Sequence, residues 1–106
     1  MIHRELEDRL RRMGLNACYR GYSILIHGAL LIRKDPDYLT MPSKLLYPKL
    51  GAMFSLTTSG VDQAIRTAIR VCLRTNAPEV ERVCGVAVPT VQQFLSGLSG
   101  CPIRTE

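Results

Sequence analysis

The chain has 106 residues, a length that suits one domain with a single modest hydrophobic core. Charged residues make up 22% of it, which is ordinary for a globular protein and argues against an intrinsically disordered chain. The formal net charge of +5 is compatible with a polyanionic partner, but many basic domains never contact nucleic acid, so charge alone selects no function.

The first helix is predicted over residues 4–13. Leu6, Leu10 and Met13 recur there at helical spacing, and Gly14 follows as a stop signal. The charged residues between these positions predict a solvated outer face.

The second helix is predicted over residues 18–34, and its nearly continuous apolar run indicates burial on most sides. Gly21 and Gly28 would permit close contact with another helix. Pro36 ends the segment, because proline disfavours the helical conformation of the residue before it. His27 is predicted to be a hydrogen-bonded or half-buried structural residue rather than a catalytic one. The inward stripe is predicted to contain Tyr22, Leu25, Ile26, Ala29 and either Ile32 or Arg33.

The third segment, residues 43–54, contains a proline that the interior of a helix does not accommodate. Pro48 fits best in a first helical turn, where its missing N–H is not needed. We therefore expect a turn at 43–46 and a helix from about residue 47. The core-facing positions are predicted to be Leu46, Leu50 and either Met53 or Phe54.

The most regular helix is predicted over residues 58–75, after a cluster of turn-forming residues at 55–60. Thr58 or Ser59 is predicted to be its N-cap, and Asn76 with Pro78 to end it. Its apolar residues follow the helical pattern without interruption: Val61, Ala64, Ile65, Ala68, Ile69 and Cys72.

The remaining chain predicts a helical turn at 79–84 that stops at Gly85, and then a last helix at 91–98 capped by Pro89-Thr90. The tail, 99–106, is predicted to be irregular. The chain as a whole, 1–106, is therefore expected to be a single all-α domain of five or six helices with its core in 5–98. The inward residues of the last helix are predicted to be Val91, Phe94, Leu95 and Leu98.

The four cysteines form no CxxC pair and the two histidines are not spaced as companion ligands, so no metal site and no cofactor are expected. Residues 1–13 lack the apolar stretch of a signal peptide, and the apolar run at 24–32 is too short to span a bilayer. We expect a cytoplasmic protein with reduced thiols, no membrane association and no small-molecule ligand. Carboxylate pairs, Ser-His-Asp sets and glycine-rich phosphate loops do not stand out, so an enzyme is not expected. Cys72 lies in the apolar stripe and is predicted to be buried rather than reactive.

The order of the central elements is that of a helix-turn-helix: a short helix at 47–54, a tight polar turn and a longer amphipathic helix. One face of the longer helix carries Gln63, Arg66, Thr67, Arg70 and Arg74, with no acidic residue among them. Arginine can pair bidentately with guanine and glutamine with adenine. The predicted partner is therefore double-stranded DNA. The predicted base-contact residues are Ser59, Gly60, Asp62, Gln63, Arg66 and Thr67. The predicted phosphate-contact residues are Lys44, Lys49, Thr57, Thr58, Arg70 and Arg74.

Two alternatives remain open at this point. The polar face can be only the solvated side of an amphipathic helix, as most charged faces are. The domain can also be a protein-interaction module, built on the same scaffold, that has lost specific DNA binding.

Three stretches of the sequence carry a resemblance to a known family: RGYSILIHGALLI, SKLLYPKLGAMFSLTTSGVDQAIRTAIRVCL and PTVQQFLSGL. They resemble the C-terminal DNA-binding effector domain of the sporulation stage-zero response regulator, over roughly residues 5–98. The resemblance implies a six-helix domain with a helix-turn-helix, binding to double-stranded DNA, tandem packing of copies along it, and a role in bacterial transcription during sporulation. Among the functional positions, Arg66 and the Thr57-Thr58 pair match the family's pattern.

The chain departs from that pattern on the polar face. The family has Arg at Gly60, Glu at Asp62, Arg at Gln63 and His at Thr67, and its connection is longer around 84–89. A lost arginine–guanine contact removes about 1–3 kcal/mol of discrimination. We therefore expect the fold to be retained and the target DNA sequence to differ. The family's regulators also carry an N-terminal receiver domain that these residues do not include.

Overall fold

The computed structural model of the chain describes residues 2–103, with the side chain of Ile2 excepted, and contains no β-strand in that range. The all-α prediction is therefore confirmed. The helices are α1 (Ile2–Arg12), α2 (Arg20–Lys34), α3 (Asp37–Thr40), α4 (Tyr47–Phe54), α5 (Thr58–Cys84) and α6 (Val91–Ser99), with a π-helical segment at Pro42–Leu46 before α4.

Helix α2 is central to the core, because it packs against α1, α5 and α6. The predicted apolar positions of α1 are confirmed, since Leu6, Leu10 and Met13 are fully buried. The predicted stripe of α2 is confirmed as well, with Ile32 rather than Arg33 facing the core. His27 is half-buried, and its Nδ1 lies 2.9 Å from the carbonyl oxygen of Ser23, as expected of a structural histidine.

Of the two glycines in α2, only Gly21 lies where a neighbouring helix leaves no room for a Cβ. A Cβ on Gly21 would lie 2.7 Å from both the Ala64 carbonyl oxygen and the Ala68 Cβ, so α2 and α5 approach backbone to backbone there. A Cβ on Gly28 would meet nothing closer than 3.4 Å, the distance to Leu50 Cδ1.

The predicted division of 43–54 is confirmed, since α4 begins at Tyr47 and Pro48 lies in its first turn. Leu50 is buried and Phe54 half-buried, whereas Met53 is 48% exposed. The turn at 43–46 is instead part of the π-helical segment, and α3 was not predicted, because four residues are too few to show a helical period.

The predicted stop at Asn76 and Pro78 is confirmed as a break in helical geometry, and the helical turn predicted at 79–84 lies in the part of α5 that follows the break. Asn76 has non-helical dihedral angles (φ −152°, ψ 68°) and kinks the helix, but the chain resumes helical geometry with Pro78 in the first turn after the kink. The Asn76 side chain donates to the Arg12 carbonyl oxygen at 2.7 Å and accepts from the Glu79 N–H at 3.4 Å. The kink therefore fastens α5 to the end of α1. Gly85, with φ +81°, ends the helix as predicted.

Helix α6 has the predicted cap and the predicted inward residues, all of which are buried. Thr90 and Gln93 form a capping box, in which each side chain accepts from the other residue's backbone N–H. Residues 100–103 are not helical, as predicted, yet Cys101 and Ile103 pack against the core rather than extending into solvent. The last three residues of the predicted tail lie outside the described range.

Within residues 2–103, none of the helices has both the length and the apolar character needed to cross a membrane.

Candidate nucleic-acid interface

A three-residue connection, Ser55 to Thr57, joins α4 to α5. Ser55 adopts the left-handed conformation (φ 56°, ψ 47°), and the Leu56 N–H donates to the Gly51 carbonyl oxygen at 2.8 Å. A Cβ on Gly51 would lie only 2.5 Å from the Leu56 carbonyl oxygen. The glycine therefore allows the connection to fold back on α4, and this contact sets how α4 and α5 meet.

The N-cap of α5 is Thr57, which corrects the prediction of Thr58 or Ser59. The Thr57 Oγ1 accepts from the Gly60 N–H at 2.9 Å, one of the orphan donors of the first turn. Thr57, Thr58 and Ser59 are exposed, and Gly60 is half-buried. The hydroxyls of this first turn lie on the surface at the positive end of the helix dipole.

The predicted polar face of α5 is a continuous exposed surface, defined here as the α5 face. It consists of Gln63, Arg66, Thr67, Arg70 and Arg74, all of them exposed. The predicted apolar stripe of α5, Val61 to Cys72, is buried apart from the half-buried Ala64. An Nη of Arg70 donates to the Thr67 Oγ1 at 3.2 Å, so neighbouring members of the face are in contact.

Asp62 borders the α5 face and is bonded within the protein through both of its carboxylate oxygens. The Tyr47 hydroxyl donates to Oδ1 at 2.7 Å, and Arg66 Nε donates to Oδ2 at 2.8 Å. Burial alone would raise the pKa of Asp62, but these two hydrogen bonds and the charge of Arg66 lower it below its usual value. The pKa of Tyr47 is raised, first by burial and then by Asp62. At neutral pH the carboxylate is therefore ionised and the phenol is protonated.

The α5 face lies between two grooves. The groove on the Asp62 side has a volume of about 510 Å³ and lies between α5, the 40–44 segment and the start of α6. Lys44, a predicted phosphate contact, lines it together with Arg66 and Thr90. Lys49 is exposed on α4, the helix that precedes the connection.

The groove on the other side has a volume of about 290 Å³ and brings the start of α2 beside the α5 face. Tyr19 and Arg20 line it together with Gln63 and Thr67. Arg20 is an exposed cation that the sequence reasoning missed. The periodicity of α5 carries no information on which other helix lies beside it, and the only signal was Gly21, whose lack of a Cβ permits the close approach.

The α5 face and its flanks form a polar, basic surface. Among the described residues, no group of three or more His, Cys, Asp or Glu side chains is placed to hold a metal ion. Cys72 is fully buried as predicted, and burial, with a smaller effect of Cys84, raises the pKa of its thiol to about 12. A thiol of this kind is a poor nucleophile at neutral pH.

One comparison with known proteins bears on this surface. Residues 6–95, most of the chain, match the family model described as sporulation initiation factor Spo0A C terminal. That family is a DNA-binding effector domain of a sporulation regulator. The match confirms the resemblance drawn from the sequence.

Proposed function

The chain belongs to the family of sporulation initiation factor Spo0A C-terminal domains, and on that premise we propose that it binds double-stranded DNA sequence-specifically. In this proposal α4, the Ser55–Thr57 connection and α5 form a helix-turn-helix. The domain regulates transcription in sporulation and acts in the cytoplasm. The observation that carries the proposal is the α5 face: three exposed arginines on one side of a helix whose other side is fixed in the core.

The first half of α5 is the part that enters the major groove, which is about 12 Å wide and accepts one helix. Base edges are contacted by residues on or beside the first three turns: Ser59, Gly60, Asp62, Gln63, Arg66 and Thr67. Phosphates on either side are contacted by side chains that flank this part of α5 or continue the α5 face: Lys44, Lys49, Thr57, Thr58, Arg70, Arg74 and, from the structure, Arg20.

The two grooves support this arrangement, because each places a cation from another element beside the α5 face. Lys44 stands on the Asp62 side and Arg20 on the Gln63 side. A helix inserted in the major groove lies between two phosphate backbones, and cations on its two flanks are placed to contact them. Contacts of this kind fix the register of the protein on the duplex, and the base contacts then select the sequence.

The experiment is selection of bound sequences from a random duplex pool, followed by titration of the selected and random duplexes over a range of salt concentrations. Arg70→Ala is expected to weaken binding to both duplexes alike and to reduce the salt slope by about 1, as the loss of one phosphate contact does. Arg66→Ala is expected to lose about 1–3 kcal/mol of preference for the selected duplex.

Arg82→Ala is the matched control. Like Arg66, Arg82 is exposed on α5 and paired with a carboxylate, that of Glu79, but it lies beyond the kink. It is expected to leave both duplex affinities unchanged. If the wild-type domain binds no duplex even at low salt, the DNA-binding proposal is wrong, and a protein-interaction module on the same scaffold replaces it. We also propose that copies of the domain pack in tandem along the DNA. The mass of the complex formed on a duplex with two selected sites tests this proposal.

A further inference from the structure

Three side chains form a chain of hydrogen bonds from the core to the α5 face: Tyr47, Asp62 and Arg66. Tyr47 is only 6% exposed, and the side chains of Asp62 and Arg66 are 30% and 60% exposed. Each successive member is therefore more accessible than the one before it. The inner end is fixed by packing, and the outer end is free to meet a ligand.

The inner end connects the two helices that we propose to form the helix-turn-helix. Tyr47 is the first residue of α4, and Asp62 lies in the second turn of α5. The Tyr47 hydroxyl holds one carboxylate oxygen at 2.7 Å, so the carboxylate cannot rotate freely. Its other oxygen then meets Arg66 in one defined orientation.

The hydrogen bond from Arg66 to Asp62 determines which nitrogens of the Arg66 guanidinium face outward. Because Nε is bonded to Asp62 at 2.8 Å, the two Nη groups at the tip of the guanidinium are left for a ligand. A pair of parallel N–H donors matches the O6 and N7 acceptors that guanine presents in the major groove. Phosphate oxygens would accept from either Nη group as well, but such a contact carries no sequence information.

We propose that Tyr47 and Asp62 are positioning residues that hold the Arg66 guanidinium for an end-on contact of both Nη groups with one guanine. The inference rests on the proposed DNA binding. It adds Tyr47 to the site and has Asp62, proposed above as a base contact, act on specificity through Arg66. Ordering a long side chain on binding lowers affinity, and a side chain already held in its bound orientation avoids that loss. An exposed pair at i, i+4 such as Asp62–Arg66 adds little to stability, so its effect on recognition can be measured apart from folding.

The test compares Tyr47→Phe with Tyr22→Phe. Tyr22 is also buried and also donates to a carboxylate, that of Glu7 at 2.9 Å, but it joins α2 to α1 and lies outside both grooves. The probes are the selected duplex, versions of it in which each guanine in turn is replaced by 7-deazaguanine, and a random duplex. Loss of the N7 acceptor reports one of the two hydrogen bonds of the proposed contact, whereas a change of stability alone would not affect one guanine more than the others.

We expect one 7-deazaguanine position to weaken binding of the wild-type domain and to have no effect on Arg66→Ala. Tyr47→Phe should lose roughly 2- to 10-fold in affinity for the selected duplex, the range expected when one long side chain is no longer held in place. It should also reduce the penalty at that same guanine, with the salt slope and the affinity for random duplex unchanged. Tyr22→Phe should match the wild type in all these measurements.

Asp62→Asn provides a second, surface variant in case Tyr47→Phe does not fold. It removes a negative charge beside the DNA, so affinity for random duplex should rise while preference for the selected duplex falls. The inference is overturned if every one of these two variants that folds keeps the wild-type preference and the wild-type 7-deazaguanine penalty. If the wild-type domain binds no duplex at all, it is instead the proposed function that fails.

Discussion

Replacing Gly21 with alanine tests whether the α5 face is held in place by the backbone contact between α2 and α5. The added Cβ would lie 2.7 Å from the Ala64 carbonyl oxygen and 2.7 Å from the Ala68 Cβ. Carbon atoms pack best at about 3.5–4.0 Å, so the two helices must separate by roughly 1 Å. Overpacking of this kind costs about 1–3 kcal/mol, and the better helix propensity of alanine returns about 0.5–1 kcal/mol.

Gly28→Ala is the matched control, because Gly28 is also buried and helical in α2. Its added Cβ would meet the ends of leucine side chains at 3.4 Å and beyond, which is ordinary contact. Alanine there should gain about 0.5–1 kcal/mol of stability. The two variants should therefore differ by about 1–3 kcal/mol in the free energy of unfolding.

Thermal unfolding followed by far-ultraviolet circular dichroism measures this difference, since 1 kcal/mol shifts Tm by about 4–8 °C in a domain of this size. We expect Gly21→Ala to unfold below the wild type and Gly28→Ala at or above it. If Gly21→Ala unfolds at the wild-type temperature or higher, or if both variants lose the same stability, the backbone contact does not constrain the two helices and the reasoning is refuted.

Two further predictions follow from the same structure. In Gly51→Ala the added Cβ would lie 2.5 Å from the Leu56 carbonyl oxygen, so we expect a lower Tm and weaker binding to the selected duplex; unchanged values of both would contradict the role given to this contact. Burial raises the thiol pKa of Cys72 to about 12 and of Cys84 to about 11, from the ordinary thiol value of 9.0. Since a raised folded-state pKa favours the protonated thiol in the fold, this contribution to stability is complete below pH of about 9 and is lost as the pH rises towards 11–12. Urea unfolding across that range should show a falling free energy, and the Cys72→Ala, Cys84→Ala double variant should show a smaller fall.

The sequence predicted most of the helices correctly, because their signals are local. The apolar spacing of α5 and the Thr90 cap of α6 depend on residues within a few positions of one another. The errors arose where local signals do not distinguish neighbouring residues. Ser and Thr are all favourable N-caps, and only the structure shows that the cap of α5 is Thr57, whose Oγ1 accepts from the Gly60 N–H at 2.9 Å. The break at Asn76 was predicted, but the hydrogen bond of its side chain to the Arg12 carbonyl oxygen at 2.7 Å was not, because it joins two separate helices.

The candidate interface could be predicted only in the part that lies on one helix. Helical spacing placed Gln63, Arg66 and Arg70 on one face, and the structure shows all three exposed. Asp62 was predicted to contact bases on the same argument. Its hydrogen bond to Tyr47 joins residues 15 positions apart on different helices, a distance over which no periodicity gives information.

The sequence by itself therefore determined that the protein is helical, that α5 has one apolar and one basic side, and which family it belongs to, because each of these depends on residue type and spacing along the chain. The tertiary structure decided what stands beside the basic side. The backbone approach at Gly21 brings Arg20 to one flank, and the fold of the 40–44 segment brings Lys44 to the other. The packing of α4 on α5 places the Tyr47 hydroxyl where it holds the Asp62 carboxylate. Contacts between separate helices depend on how their surfaces pack together in three dimensions. The residue pattern within one helix does not show which other helix packs against it.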